Sequence, residues 1–215
     1  MIGVVVPAHQ EERLLPACLA SLAEAARHVR EPVRVLVVLD ACTDGTAAVA
    51  AAAGVASLSV RARCVGVARA AGAAALLAQG ARWLASTDAD TVVDPRWLAH
   101  QVACGAEAVC GVVEVEDWSP HPDGVRRAFA AAYVDRDGHR HVHGANLGVS
   151  AAAYLAVGGW PPLPTGEDRA LVESLLATGV GVRWSGGMRV TTSARRDPRA
   201  VGGFGDHLRG LATSA

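Results

Sequence analysis

The chain has 215 residues, 51% of them hydrophobic and 19% charged, with a formal net charge of −1. That balance supplies an ample core and excludes a disordered chain or a polyanion binder, so nucleic acid is not an expected partner. All 20 basic residues are arginine, which excludes a Walker phosphate loop and any lysine Schiff base and leaves cationic work to arginine or a metal ion. The five cysteines (18, 42, 64, 104 and 110) are scattered, with no CxxC pair. They suggest neither a disulfide framework nor a zinc ribbon, and read as buried thiols of a reducing cytoplasm. The opening "MIGVVVPAHQEE" lacks the basic region of a signal peptide, and no apolar run reaches the roughly 18–20 residues that span a bilayer. With no linker, repeat or low-complexity tract, a single domain over 1–215 in the cytoplasm is expected.

In chain order, "IGVVVPA" is a β-branched run suited to a strand buried on both faces. From Glu12 to Arg30 apolar residues recur at three- and four-residue steps, which predicts a helix. "VRVLVVL" (33–39) is a second buried strand, and the alanine-rich 46–53 segment a helix stopped at Gly54. A short strand near 56–60, a helix over 65–79 and a strand at 82–87 follow. Asp94-Pro95 reads as an N-cap with proline at the first helical position. In the second half, 108–116 is a strand and 124–134, 150–156 and 167–178 are helices. "VGVRW" and "MRVTT" read as closing strands that make the sheet mixed. Alternating strand and helix over the first hundred residues predicts a doubly wound α/β sheet, whose ligands bind beyond the strands' carboxyl ends.

Three of those ends carry unusual residues. "PAHQEE" (7–12) has no glycine, which disfavours a dinucleotide-binding turn. "LDACTDGT" (39–46) puts Asp40 at a strand tip, where a carboxylate can accept a base's ring N–H; Asp44 or Thr46 suits a helix cap. "STDADTVVDP" places Asp88 and Asp90 two residues apart, on one side of an extended backbone. Two carboxylates so close repel at low dielectric unless a cation lies beside them. Mg²⁺ takes such oxygens and leaves positions for phosphate. A lone D-x-D is common by chance; one at the end of a fourth strand is more informative.

Taken in order, "VVPAHQEE", "VVLDACTDGT", "GVARAAG", "STDAD", "GANLGVSAAAYLAVGGW" and "GEDRALVESL" resemble the family-2 glycosyltransferases of the GT-A fold over roughly residues 2–185. That resemblance implies an inverting transfer from a nucleotide-diphosphate sugar, usually a UDP-sugar, assisted by Mg²⁺ or Mn²⁺. It places Pro7, Ala8, Glu12 and Asp40 at the nucleotide, Arg69 near uridine or phosphate, Asp88 on the ribose and Asp90 on the metal. Gly144, Ala145, Asn146 and Glu167 line the donor and acceptor cleft, and Asp168 is the catalytic base. It also divides the chain into a nucleotide-binding half (1–100), an acceptor and catalytic half (101–194) and a tail (195–215).

The chemistry agrees. A departing diphosphate develops charge that a cation stabilises, and direct displacement needs a carboxylate to deprotonate the acceptor. A helix N-terminus, where Glu167 and Asp168 fall, favours negative charge; the two acids would also suit a purely dipole-complementing role. The chain departs from the family at His9, Leu39 and Cys42, and "TTSARRD" offers no evident late metal ligand, leaving His207 as a remote candidate. His139, His141 and His143 would share one face of a strand, which suits zinc or a polar hairpin near the acceptor mouth with His143 nearest the site. Trp160 suits stacking on a sugar or packing, and the arginine-rich tail suits either a mobile lid whose Arg195 and Arg196 touch diphosphate or a solvated end.

Two other readings compete. "DADTV" matches the nucleophile loop of haloacid-dehalogenase-type phosphatases, with Asp88 as nucleophile, but that fold wants the loop after its first strand and a lysine downstream. A non-catalytic nucleotide-sugar-binding module would keep Asp40 and D-x-D without the base. The acceptor (small molecule, lipid-linked or glycan) is not legible; single-sugar transfer is expected, and a homodimer is compatible.

Overall fold

The computed structural model describes residues 1–197 and 202–214. The strands are β1 (Ile2–Ala8), β2 (Val33–Asp40), β3 (Ala56–Val60), β4 (Trp83–Ser86), β5 (Thr91–Val93), β6 (Ala108–Glu114), β7 (Leu147–Ser150) and β8 (Val182–Thr192). The helices are α1 (Leu15–Arg27), α2 (Thr46–Ala52), α3 (Val65–Ala78), α4 (Trp97–Ala103), α5 (Asp123–Ala132), α6 (Ala151–Ala156), α7 (Glu167–Ala177) and α8 (Phe204–Ser214). All strands join one sheet in the order β3-β2-β1-β4-β7-β6-β8-β5. β1 pairs in parallel with β2 and β4, β2 with β3, and β6 with β8, while β7 runs antiparallel to both β4 and β6.

The sheet is buried on both faces, as continuous apolar strands require. Ile2, Val4 and Val6 of β1 pack with α1 residues Leu15, Leu19 and Leu22 on one face. Val5 joins Leu76 of α3 and Leu171 and Leu175 of α7 on the other. α3 lies against the strands because Gly72 has no side chain: a Cβ there would sit 2.7 Å from Val5 and 2.8 Å from Val38.

Several expectations change. α4 begins at Trp97; Asp94 instead forms a turn before it, its Oδ1 accepting the Arg96 N–H at 2.7 Å. β5 and β7 were not expected. "VGVRW" and "MRVTT" belong to one strand, β8, whose pairing with β6 slips at Gly111/Val112, where the partner jumps from Ser185 to Arg189. The end of the chain forms α8, which docks Leu208 against Val125 and Phe129 of α5.

Candidate active site

The loops after β1, β2 and β3 each carry one residue with left-handed backbone. Gln10 (φ 57°), Ala41 (φ 51°) and Arg63 (φ 47°) are the non-glycine residues with positive φ among those described. Such conformations persist only where the surroundings hold them, and they cluster at functional sites. Asp40 supplies part of that hold. Its Oδ1 accepts the Ala62 and Arg63 N–H groups and its Oδ2 that of Cys64, each at 2.8 Å, so it fixes the approach to α3. Gln10 ties the first two loops together, its Oε1 accepting from Thr43 N at 2.7 Å and its Nε2 donating to Thr43 Oγ1 at 2.8 Å. The N-cap of α2 is Gly45 rather than Asp44 or Thr46; Asp44 forms a turn before it, its Oδ1 accepting the Thr46 N–H at 3.1 Å. These loops open onto a cavity of about 1260 Å³ at the carboxyl ends of β1, β2 and β4.

Asp88 and Asp90 both line that cavity, but they do not share a cation on one face of a strand. The chain turns between them, with the Thr91 N–H donating to Asp88 O at 3.1 Å. Each acid has its own arginine. Arg69, 2% exposed, donates to Asp88 Oδ1 at 2.5 Å, to Glu167 Oε1 and to Ser86 Oγ at 3.0 Å, while its guanidinium lies 5.3 Å from the centre of the Trp160 ring. Three of its five N–H donors are engaged with the protein, which ties Arg69 to Ser86, Asp88 and Glu167. Trp160 is buried behind it, which corrects the stacking expectation. Gly144 covers the guanidinium: a Cβ there would fall 2.5 Å from Nη2.

Arg195 serves Asp90. Its Nη2 donates to Asp90 Oδ2 at 2.6 Å and to Glu11 Oε1 at 2.5 Å, and its Nη1 to Glu11 Oε2 at 3.0 Å. Burial and the like charge of Glu11 raise the Asp90 carboxyl above the usual carboxylate range, against the pull of Arg195. Glu11, 5% exposed, is the acid that lines the cavity. Glu12 is exposed and turned away, its Oε2 accepting the Gly45 N–H at 2.7 Å, so the expectation that it borders the nucleotide is corrected. Two carboxylate oxygens converging on one cationic nitrogen also form a donor pair that a hard divalent ion accepts. Among the described residues, no group of three His, Cys, Asp or Glu side chains is arranged to hold a metal.

Asp168 heads α7. Its Oδ2 accepts the Gly144 N–H and its Oδ1 the Arg169 N–H, both at 2.7 Å. Gly144, Ala145, Glu167 and Asp168 line the cavity, as do Pro7, Ala8, Asp40 and Arg69. Asn146 does not. It is 0% exposed, accepts from Trp97 Nε1 and donates to Val112 O and Met188 O, all at 2.8 Å, and so fills the slip between β6 and β8. Its expected place in the cleft is corrected accordingly.

The far wall is aromatic. The segment before Gly144 is not a strand; His141 stacks on Tyr133 at 4.1 Å, with His139 and His143 on further stacked rings. His141, His143, Phe204, His207 and Trp184 line this end of the cavity. Burial pushes the His143 imidazole down to about 4. Sequence reasoning missed Glu11, Tyr133 and Phe204.

The fold and this strand-end cavity define the class. The architecture is that of GT-A glycosyltransferases. S. aureus TarS 1-349, solved in complex with UDP-GlcNAc, superposes with a TM-score of 0.69 at 13% identity, covering 99% of this chain and 65% of that one. The mannosyltransferase PcManGT of Pyrobaculum calidifontis, solved with GDP-Man and Mn²⁺, gives 0.63 at 19% identity over 98% of this chain and 68% of that one. Glucosyl-3-phosphoglycerate synthase of Mycobacterium tuberculosis, solved with Mn²⁺, UDP and glucosyl-3-phosphoglycerate, gives 0.65 at 17% over 99% of this chain and 76% of that one. The chain thus spans under two-thirds of the TarS 1-349 length. No curated protein matches it by sequence. The model of glycosyl transferase family 2 matches residues 3–152, and the chain belongs to that family.

Proposed function

We propose that this chain transfers a sugar, with inversion, from a nucleotide-diphosphate sugar to an acceptor hydroxyl, and that uridine is the donor's base. The carrying observation is one cavity lined by acids with separate tasks: Asp90 and Glu11 gathered on one cation, and Asp168 held apart by backbone N–H groups. That solved structures of the same fold hold UDP-GlcNAc, GDP-Man, UDP and Mn²⁺ supports the reading.

The base and ribose lie between Pro7, Ala8, Asp40 and Asp88. Asp90 and Glu11 would hold Mg²⁺ or Mn²⁺, which supplies charge neutralisation for the leaving diphosphate. Arg195, freed from the two acids, is long enough to meet the diphosphate. Asp168 takes the acceptor O–H proton as that oxygen bonds to the anomeric carbon and the bond from that carbon to the diphosphate breaks. Arg69 keeps Asp88 and Glu167 in place throughout. The acceptor enters along the aromatic wall and receives one sugar per encounter.

Asp168→Asn tests this reading. Transfer should fall by at least about a thousandfold while calorimetric UDP binding is kept; unchanged turnover would remove Asp168 as base. The phosphatase reading, with Asp88 as nucleophile, predicts free phosphate from the donor, whereas transfer predicts nucleoside diphosphate.

A further inference from the structure

The hydrogen bonds around His143 favour one direction. The Val113 backbone N–H can only donate, and it donates to the Tyr133 hydroxyl oxygen at 2.9 Å. The Tyr133 hydroxyl lies 2.8 Å from His143 Nε2. Tyr133 is stacked between Phe129 (4.7 Å) and His141 (4.1 Å), and burial raises its phenol so that the proton stays on oxygen. With one lone pair of that oxygen taken by Val113, Nε2 is the acceptor that the O–H finds among the described residues, and an O–H donated there requires an unprotonated Nε2. A neutral His143 places its only N–H on Nδ1. That atom has no partner among the described residues, and His143 lines the cavity. The next residue, Gly144, donates its N–H to Asp168 Oδ2 at 2.7 Å, so the imidazole stands one peptide from the proposed base.

We propose that His143 is an acceptor-binding residue whose Nδ1–H, set by Val113 and Tyr133, donates to an oxygen of an uncharged polyhydroxylated acceptor while Asp168 takes the proton of a neighbouring hydroxyl. The inference rests on the glycosyltransferase reading and deepens it by naming the acceptor class. A neutral donor suits a hydroxyl oxygen, whereas an anionic group is bound best by a charged one. Around it, Phe204 and Trp184 contribute ring surface of the kind that covers the C–H faces of a sugar, with the Arg140 guanidinium 5.2 Å from the Trp184 ring centre and His141 and His207 beside them.

The test is long-range proton–nitrogen correlation on ¹⁵N-labelled protein, with the His143 signals identified by their loss in His143→Phe. Expected at pH 7 is a neutral ring protonated on Nδ1, and Tyr133→Phe should shift it towards the Nε2-protonated form. With UDP and Mg²⁺ present, methyl α-glucopyranoside should move the Nδ1 and Hδ1 signals, and inorganic phosphate should not. His143→Phe should weaken glycoside binding roughly tenfold and leave UDP affinity unchanged. An Nε2-protonated or charged ring at pH 7, or a tautomer indifferent to Tyr133→Phe, would overturn the assignment. Signals that respond to phosphate, or to neither probe, would overturn the acceptor class. Failure of UDP itself to bind would instead overturn the choice of uridine in the underlying reading.

Discussion

At Arg195 a single guanidinium answers the question that two nearby aspartates raise in the sequence. The positive species beside Asp90 is an arginine 105 positions away, which no local pattern reveals. Because Arg195 occupies the seat proposed for a divalent ion, removing it should open that seat: Arg195→Gln is expected to bind Mn²⁺ without nucleotide about tenfold more tightly, near 1.4 kcal/mol, read by electron paramagnetic resonance. Unchanged or weaker binding would place the ion elsewhere. Arg69 is a different case, a cation buried between two acids. Arg69→Met leaves Glu167 and Asp88 without their partner and should cost about 3–5 kcal/mol in urea unfolding. Adding Glu167→Leu should recover part of that loss; a double variant no more stable than the single one would count against the pair. Glu11 and Glu12 show why residue roles are harder to read than motifs. The resemblance placed Glu12 at the nucleotide, but the chain turns at the left-handed Gln10, and the neighbouring Glu11 is the acid that faces the cavity.

At the scale of elements, long periodic segments were legible and short ones were not. β1 and β2 fall where apolar runs put them, and α1 lies within the stretch marked by three- and four-residue steps. β5 and β7 span 3 and 4 residues, too few for a period to show, and Ser150 both ends β7 and caps α6, accepting the Ala153 N–H at 3.1 Å. The glycines of the tail hid α8, whose hold comes from Leu208 packing on α5. Asn146 looked like a cleft residue because the family's motif passes through it; its amide instead bridges the irregular β6–β8 junction. Asn146→Ala should therefore cost about 2–4 kcal/mol, since it leaves two carbonyls and the Trp97 N–H unpaired. A variant that loses activity at wild-type stability would contradict that assignment.

Over the whole molecule, the paired strands and helices carry two apolar faces, and the polar chemistry is confined to the strand ends. No helix among the described residues is long and apolar enough to cross a membrane. Burial of the histidine wall also links stability to pH. His143 falls from an ordinary 6.5 to about 4, and His139 and His141 are lowered in the same direction. At these histidines the folded chain binds fewer protons than the unfolded one between about pH 4 and 6.5, so their contribution to stability is fully present above that window and lost as pH falls through it, while the raised Asp88, Asp90 and Glu167 carboxyls act in the opposite direction. His143 alone contributes at most about 3 kcal/mol. Urea unfolding at pH 7 and pH 5 should show a smaller drop for His143→Phe than for the unsubstituted chain; equal drops would mean that His143 is not held neutral by the fold. The central claim, that this cavity seats a nucleoside diphosphate through Asp90 and a divalent ion, is tested most directly by calorimetric titration of UDP. The account predicts binding that needs Mn²⁺ and weakens at least about tenfold, some 1.4 kcal/mol, in Asp90→Ala. Equal binding by both proteins, with or without the metal, would contradict it.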